Sequence, residues 1–422
     1  MLVKAAKSVV EAGIEEFTPW PHYEADEIQA AVRILSSGKV NYWTGQEGKL
    51  FEREFADYVG CKHAVAVANG TVALELALRV LGVGPGDDVI TSPRTFIASA
   101  SCAVSLGARP VFAEVDRESQ NITAATIRAA LTPRTKVIVV VHLAGWPCEM
   151  DDILQLAREH NLKVIEDCAQ AHGAEFAGRR VGSMGDIGAF SFCQDKIMST
   201  GGEGGMITMN SDDLWERAWA YKDHGKNYEA VCKLAVGPGF RWLHESFGTN
   251  WRLTEIQAGI GRVQLRKLNE WVVRRRMNAA VLAHRFSTLE TLRVTSPPEH
   301  IRHSYYKYYV FVRQDRLRFG WDRDRIVAEI AASGVPCFTG SCSEVYLEKA
   351  FPAEWKPERR FAMARELGET SIMFQVHPGL RSEEIWKVCD VTSEVVMAAT
   401  MASRSISISG LEQTVDRDVP LS

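Results

Sequence analysis

The stretch "SFCQDKIMSTGGEGG", residues 191–205, contains one lysine, Lys196, between an apolar segment and a glycine-rich turn. A lysine beside glycines suggests a nucleotide-phosphate loop, but that loop has the order GK[ST], with the lysine after the glycines. Here the lysine precedes them, so a loop of that type is excluded. A lysine amine can instead bind an aldehyde as a Schiff base when its surroundings keep it deprotonated.

Two carboxylates, Glu166 and Asp167, end the apolar segment "LKVIED", and Asp167 lies 29 positions before Lys196. Adjacent side chains of a strand point to opposite faces, so only one of the two can face a given site. A buried carboxylate needs a partner, and the cationic nitrogen of a ring would satisfy it. An aspartate that caps the next helix is an equally good interpretation of this segment alone.

Two further segments place candidate ligands directly after apolar runs. "ANGTVALELAL" starts a helix at Gly70 and Thr71, where free N–H groups could bind a phosphate, although a plain cap by Asn69 or Thr71 explains the same pattern. Phe96 in "SPRTFIASA" could stack on a flat ring or be an ordinary core residue. Together with the lysine and the aspartate, these residues suit an aldehyde cofactor that carries a phosphate and a pyridinium ring.

The elements that must position these residues alternate along the chain. Apolar runs of about five residues are followed by helical patterns from about Phe51 onward, which is typical of a parallel sheet covered by helices. After Ser287 the pattern changes to an antiparallel strand in "YYKYYVFVR", a helix in "RDRIVAEIAASG" and shorter elements. We predict an α/β fold with a large domain over residues 16–286 and a smaller α+β domain over residues 287–422. The N-terminal arm is expected to join the smaller domain.

Composition excludes several classes of protein. The 422 residues include 49 basic and 53 acidic ones, a net charge of −4, so no overall basic field would attract nucleic acid. The longest apolar run is too short to cross a bilayer, and no secretory leader is evident, so we expect a cytoplasmic enzyme. The nine cysteines form no CxxC pair, and no HExxH or EF-hand pattern indicates a catalytic metal.

Several separated motifs together resemble one family. They are "NGTVALELAL", "VIEDCAQAHGA", "GAFSFCQDKIMSTGGEGGM", "GTNWRLTEIQAGIG", "HSYYKYYVF", "GVPCFTGSCSEVYLEKAF" and "VHPGL". In this order they are similar to the DegT/DnrJ/EryC1/StrS sugar aminotransferases, pyridoxal-phosphate (PLP) enzymes of fold type I. The resemblance covers nearly the whole chain and implies that PLP is bound by Gly70, Thr71, Phe96, Asp167, Gln170, Ser191, Lys196 and Asn250.

The same resemblance implies a role for each of these residues. Lys196 would form the internal aldimine and, once freed, move the proton between substrate and cofactor carbons, while Asp167 would keep the pyridine nitrogen protonated. Ser191 and the Gly70–Thr71 turn would bind the phosphate, and Phe96 would stack on the ring. Gln170 would lie near the ring and its phenolic oxygen.

Asn250 matches a residue that reaches the phosphate from the neighbouring subunit, which implies a homodimer with shared active sites. Local sequence alone favours another interpretation, in which Asn250 caps a helix and Arg252 is a surface cation. His142 and His172 also follow apolar runs, and both are expected to be hydrogen-bonded structural histidines.

By resemblance, the amino donor would be L-glutamate or L-glutamine and the acceptor a nucleotide-linked keto sugar, in amino-sugar biosynthesis. Lysine at position 196, rather than histidine, favours transamination over sugar dehydration. Three alternatives stay open: a cyclitol aminotransferase, a cysteine desulfurase-like lyase using Cys337 or Cys342, and a non-catalytic PLP-binding sensor.

Overall fold

A computed structural model describes residues 17–233 and 242–401. Residue 16, the expected start of the large domain, and residues 402–422 of the expected second domain lie outside the described residues. Within them the helices are α1 (Ala25–Ser37), α2 (Glu47–Val59), α3 (Gly70–Val80), α4 (Ala98–Val104), α5 (Ala124–Ala130), α6 (Met150–Glu159), α7 (Asp212–Lys222), α8 (Tyr228–Lys233), α9 (Glu255–Phe286), α10 (Arg323–Ala332), α11 (Ala362–Thr370) and α12 (Ser382–Ala399).

The strands form three sheets. They are β1 (His63–Val67), β2 (Asp88–Thr91), β3 (Arg109–Phe112), β4 (Thr135–Val141), β5 (Lys163–Asp167), β6 (Glu175–Phe176), β7 (Arg179–Arg180), β8 (Ile187–Ser191), β9 (Gly205–Met209), β10 (Leu292–Val294), β11 (Ile301–Arg302), β12 (Tyr308–Val312), β13 (Cys337–Phe338) and β14 (Ser371–Phe374).

The largest sheet has seven strands in the order β1-β9-β8-β5-β4-β2-β3. Strands β3, β2, β4, β5 and β8 pair in parallel, whereas β9 is antiparallel to both β8 and β1. The predicted α/β fold with a mostly parallel sheet is confirmed, with β9 as the one reversed strand in this sheet.

Helices cover both faces of this sheet, which explains why its strands are continuously apolar. In β4, Val137 and Val139 pack into one buried cluster, whereas Ile138 and Val140, which alternate with them, pack into another on the opposite face. Because both faces of the strand are buried in apolar cores, polar groups can collect at the strand ends.

One candidate helix is absent. The sequence left open a helix after β5 that Asp167 would cap, but residues 168–174, within "CAQAHGAEF", form successive turns that lead directly into β6. Backbone bonds run from Ala171 N to Cys168 O and from Ala174 N to Ala171 O, and Gly173 has a φ of +73°. These short-range turns connect β5 to β6, which pairs with β7 and β11 in a small sheet.

The C-terminal part contains a four-stranded antiparallel sheet, in the order β10-β12-β14-β13. The predicted strand in "YYKYYVFVR" is β12, and the predicted helix in "RDRIVAEIAASG" is α10, which Asp322 caps by accepting a 2.8 Å bond from Arg325 N. The end of α9 packs into the core beneath this sheet through Ala279, Leu282 and Phe286. The boundary at residue 286 therefore falls at the end of a helix that both cores share, and it stays a prediction.

Among the described helices, none combines the length and the apolar character that a membrane span requires.

Candidate active site

The candidate residues meet at one edge of the large sheet because its parallel strands end there. Asp167 is the last residue of β5, and Ser191 is the last residue of β8. Gly205 of β9 pairs with both Ser191 and Val67, so the end of β1 lies at the same edge. The segments that carry Gly70, Asp167 and Lys196 therefore leave the sheet side by side.

Gly70 and Ser191 are in close contact. A Cβ on Gly70 would lie 2.5 Å from Ser191 Cβ and 2.9 Å from its Oγ, which is closer than real side chains approach. Asn69 caps α3, since its Oδ1 accepts a 3.0 Å hydrogen bond from Val72 N, and Thr71 is exposed in the first turn. The expected cap by Asn69 is thus present, and it leaves the N-terminus of α3 beside the Ser191 hydroxyl, an arrangement that suits a phosphate.

Asp167 is buried and has few partners. Its carboxylate accepts hydrogen bonds from Ser99 Oγ at 2.7 Å and from Ala169 N at 3.1 Å. Within the described part of the chain it has no ion pair. Burial raises the pKa of this carboxyl, and the hydrogen bond from Ser99 and the nearby Lys196 oppose that rise only in part. A cation at this position would supply what the site lacks.

Glu166, the preceding residue, faces the other side of the sheet. It contacts His142 Nε2 at 3.0 Å and accepts bonds from Gly182 N, Met184 N and Gly185 N at 2.9, 2.8 and 2.7 Å. Burial raises its pKa, but the hydrogen bond to His142 and the backbone donors outweigh burial and hold it below its usual value. The expectation that only one carboxylate faces the site is confirmed by these opposite surroundings.

Both histidines occupy buried positions. His142 Nδ1 accepts a 3.0 Å bond from Cys148 N, so its two nitrogens are occupied by the fold, as expected. His172 contacts the rings of Phe190 and Phe192, and within the described residues neither of its nitrogens makes a hydrogen bond of good geometry. The hydrogen bonds expected for His172 are thus not well formed in the described part of the chain; burial lowers its pKa to about 3 and keeps the ring neutral.

Lys196 lies in the loop after β8 with 17% of its side chain exposed. Its Nζ is 3.4 Å from Asp195 Oδ1 and 5.1 Å from the centre of the Tyr306 ring. The Tyr306 hydroxyl donates to the second oxygen of Asp195. The amine is thus held by a neighbouring carboxylate against an aromatic face, yet it can still be reached from outside.

A family model for the DegT/DnrJ/EryC1/StrS aminotransferases matches residues 21–393. This chain belongs to that family. A GDP-perosamine synthase from Caulobacter vibrioides is 41% identical over 300 residues, which cover 69% of this chain and 76% of the relative. The family comprises PLP-dependent aminotransferases, so the chain is an enzyme of that class, and the non-catalytic alternative is set aside.

Solved structures agree with this assignment. The X-ray structure of the aminotransferase from Psychrobacter cryohalolentis has 54% sequence identity and a TM-score of 0.89, covering 91% of this chain and 99% of that one. A putative sugar aminotransferase from Streptococcus pneumoniae, solved in its PLP-form, has 25% identity and a TM-score of 0.80, with 92% and 100% covered.

The residues of this aminotransferase fit PLP on physical grounds. Asp167 is a buried carboxylate without a cation, and a protonated pyridine nitrogen would provide one. The glycine-walled start of α3 beside Ser191 suits a phosphate, and Lys196 offers a reachable amine. Phe96 is 68% exposed, so its interpretation as a core residue is wrong, and its ring face is open.

Gln170 and Asn250 have less direct support. Gln170 Oε1 accepts a 2.8 Å bond from Ala144 N, which ties it to the turn after β4. Asn250 is exposed and its backbone bridges to Asp223. The local alternative for the Asn250 segment is wrong, because Thr254 caps α9 and Arg252 pairs with Asp223 at 2.7 Å.

Sequence reasoning missed four residues that shape the site. Asp195 and Tyr306 stand within quoted motifs, next to the lysine and in "HSYYKYYVF", so their position was a usable signal. Ser99 is one helical turn beyond Phe96. Trp20 has no such signal: its Nε1 donates a 2.8 Å bond to the carbonyl of Lys196 across 176 positions.

Proposed function

We propose that this enzyme transfers an amino group from L-glutamate or L-glutamine to a keto group of a nucleotide-linked deoxysugar, in amino-sugar biosynthesis. The observation that carries the proposal is the reachable Lys196 amine at the sheet edge where Asp167 and Ser191 end neighbouring strands. The similarity to a GDP-perosamine synthase supports a sugar nucleotide as acceptor.

PLP, when bound, supplies an aldehyde that links covalently to amines and a ring that delocalises the electrons of a deprotonated carbon. In the proposed arrangement Lys196 Nζ would be the amine that holds that aldehyde. Asp167 holds a proton on the ring nitrogen, while Ser191 and the Gly70–Thr71 turn bind the phosphate. Phe96 offers its exposed ring for stacking, and Gln170 lies near the phenolic oxygen.

The free Lys196 amine would accept the proton from the donor's α-carbon in the first half-reaction, and in the second it would deliver a proton to the carbon that is aminated. Asp195 accepts a bond from Tyr306 and lies 3.4 Å from Lys196, so it can orient the free amine between these steps. Because donor and acceptor would use the same site in turn, the reaction would proceed as two alternating half-reactions.

The desulfurase-like alternative is poorly supported by the thiols. Cys337 is buried in β13, and burial raises its pKa to about 12. Cys342 is exposed, but partial burial raises its pKa as well, and its carbonyl accepts a bond from Thr95 N. A nucleophilic cysteine needs a lowered pKa, so neither thiol is suited to attack sulfur.

Borohydride reduction of the PLP-loaded enzyme, followed by peptide mapping, tests the lysine. Lys307 is the sharpest competitor, because burial lowers the pKa of its amine to about 8 and it lies near Asp195 and Lys196. We expect the pyridoxyl label on Lys196 alone, and on no residue in the Lys196→Ala variant. A label on Lys307 would contradict the assignment.

The acceptor is tested by supplying glutamate with 3-keto and 4-keto sugars linked to GDP, dTDP or UDP, and with a free keto-inositol as a separate arm. We expect an amino sugar nucleotide and no reaction with the cyclitol. Conversion of the cyclitol alone would replace the proposed acceptor by the cyclitol alternative.

We also propose a homodimer in which Asn250 completes the partner's site, as the exposure of this residue permits. Mixing inactive Lys196→Ala and Asn250→Ala variants should form hybrid dimers with one intact site each. Random exchange then restores about a quarter of wild-type activity. A measurement of molecular mass in solution gives the oligomeric state directly. If the subunits exchange and no activity is recovered, shared active sites are ruled out.

A further inference from the structure

Ser99, in the first turn of α4, donates a side-chain hydrogen bond to the Asp167 carboxylate. Its Oγ is 2.7 Å from Asp167 Oδ2 and 2.8 Å from Thr95 Oγ1, and both hydroxyls are buried. A carboxylate can only accept, so the single Ser99 proton points to Asp167. The Thr95 proton must then point to Ser99, and the three groups form a directed chain of hydrogen bonds.

The loop before Ser99 is held in place by residues that do not belong to this series of three hydrogen-bonded groups. Arg94 is fully buried and donates to Gln120 Oε1 at 2.9 Å and to Ser343 Oγ at 2.8 Å. Thr95 N donates to the Cys342 carbonyl at 3.1 Å. The position of the Thr95 hydroxyl is therefore set by the C-terminal part of the molecule.

We propose that Ser99 is a positioning residue that keeps the Asp167 carboxylate charged and correctly oriented for the ring nitrogen of the cofactor. The proposal rests on the proposed function, because it assumes that Asp167 meets that nitrogen. A hydrogen bond to the charged form of a carboxyl favours that form, and Thr95 strengthens the bond by polarising the Ser99 hydroxyl.

Among the groups that face Asp167, Ser99 contributes most to keeping its carboxylate charged. Lys196 and His142 favour its charged form, but they contribute less than Ser99 and Ala169 N. The thiols of Cys102 and Cys168 are neutral, since burial raises the pKa of each. Burial of Asp167 works against its charge, and the hydroxyl is the largest opposing contribution.

The test compares Ser99→Ala with Ser101→Ala, a control on the same helix whose hydroxyl makes no hydrogen bond within the described residues. We expect Ser99→Ala to bind PLP about tenfold more weakly, as measured by absorbance titration of the apoprotein. In the apoprotein, the infrared band of a protonated carboxyl should persist to higher pH than in wild type. Ser99→Thr, which keeps the donor, should restore both properties.

A PLP analogue with carbon in place of the ring nitrogen separates positioning from packing. Ser99→Ala and wild type should bind this analogue equally, because no charge on Asp167 is required. An equal loss of affinity for PLP and for the analogue, or behaviour identical to Ser101→Ala, would overturn the proposal.

Two further results keep the test decisive. If Ser99→Ala fails to fold, Thr95→Val leaves the direct bond to Asp167 intact and should shift PLP affinity in the same direction by a smaller factor. If wild-type protein binds no PLP, the proposed function fails; if wild type binds it and Ser99→Ala matches its control, only the role of Ser99 fails.

Discussion

Glu166 and Asp167 are adjacent residues of one strand, both are buried, and their surroundings differ sharply. Glu166 has three backbone donors and a histidine, whereas Asp167 has one hydroxyl and one backbone N–H. Burial dominates for Asp167 and raises its pKa, but hydrogen bonds dominate for Glu166 and lower it. The fold satisfies the Glu166 carboxylate on one face of the sheet and leaves the Asp167 carboxylate on the other face without a cation. We expect the cofactor to bind on the Asp167 side.

The largest expected effect that would test this contrast is on activity. Asp167→Asn removes the charge that would hold a proton on the ring nitrogen, and we expect transamination to fall by about a thousandfold. The measurement is the rate of each half-reaction, with cofactor occupancy confirmed by the covalent label on Lys196. Near-normal rates at full occupancy would mean that Asp167 is no more functional than Glu166.

Glu166→Gln should act on stability instead. The amide places an NH2 group among backbone donors and leaves at least one of them unsatisfied, so we expect a loss of about 3 kcal/mol in the free energy of unfolding. Denaturant unfolding of the apoprotein measures it. Protein that remains folded should keep its PLP affinity, and a selective loss of that affinity would contradict the division between the two faces.

Gly70→Ala tests how closely the start of α3 packs against Ser191. The added Cβ would lie 2.5 Å from Ser191 Cβ, so the start of α3 must shift, at a cost of about 1–3 kcal/mol. Phosphate contacts would be lost with that shift, and PLP affinity should fall. Gly84→Ala is the matched control, because a Cβ there meets nothing within 4 Å. Equal behaviour of the two variants would remove the steric argument.

The smallest expected effect has the opposite sign to that of Glu166→Gln. The pKa of Asp167 is raised above its ordinary value of 3.8, so the folded apoprotein binds this proton more tightly than the unfolded chain does. Stability is therefore lost as the pH rises from 3.8 through the raised pKa. Asp167→Asn avoids that loss, and its apoprotein should melt about 1–3 °C higher at neutral pH.

Melting curves at several pH values check this expectation. The advantage of Asp167→Asn should shrink as the pH falls and Asp167 takes up its proton. A lower melting temperature than wild type at neutral pH would mean that the hydrogen bonds from Ser99 and Ala169 already satisfy the carboxylate.

Sequence predicted most of the sheet because its strands and helices have distinct periodicities. Position at the end of an apolar run was enough to single out Asp167, whereas Ser191 came from the family resemblance. The two lie together because the ends of parallel strands share one edge. It was not enough for "CAQAHGAEF", where apolar small residues suit a helix or a turn and the left-handed Gly173 decides the outcome.

Contacts between distant segments were beyond the reach of the sequence. Nothing near Trp20 indicates that its indole would bond to the carbonyl of Lys196, and nothing near Arg94 indicates Ser343. Local patterns also gave the wrong cap for α9, because Thr254 and Asn250 are both good capping residues and only the folded chain selects Thr254.

The bond from Trp20 to Lys196 also constrains the order in which the molecule can be completed during its synthesis. Trp20 packs against Trp271 and His377, and Thr18 N donates to Glu384 at 2.6 Å. Residues 18–20 are translated before Trp271, His377 and Glu384, so they leave the ribosome well ahead of these partners. The contacts that tie Thr18 and Trp20 to the loop of Lys196 and to the C-terminal helix region are therefore completed only after residue 384 has been translated.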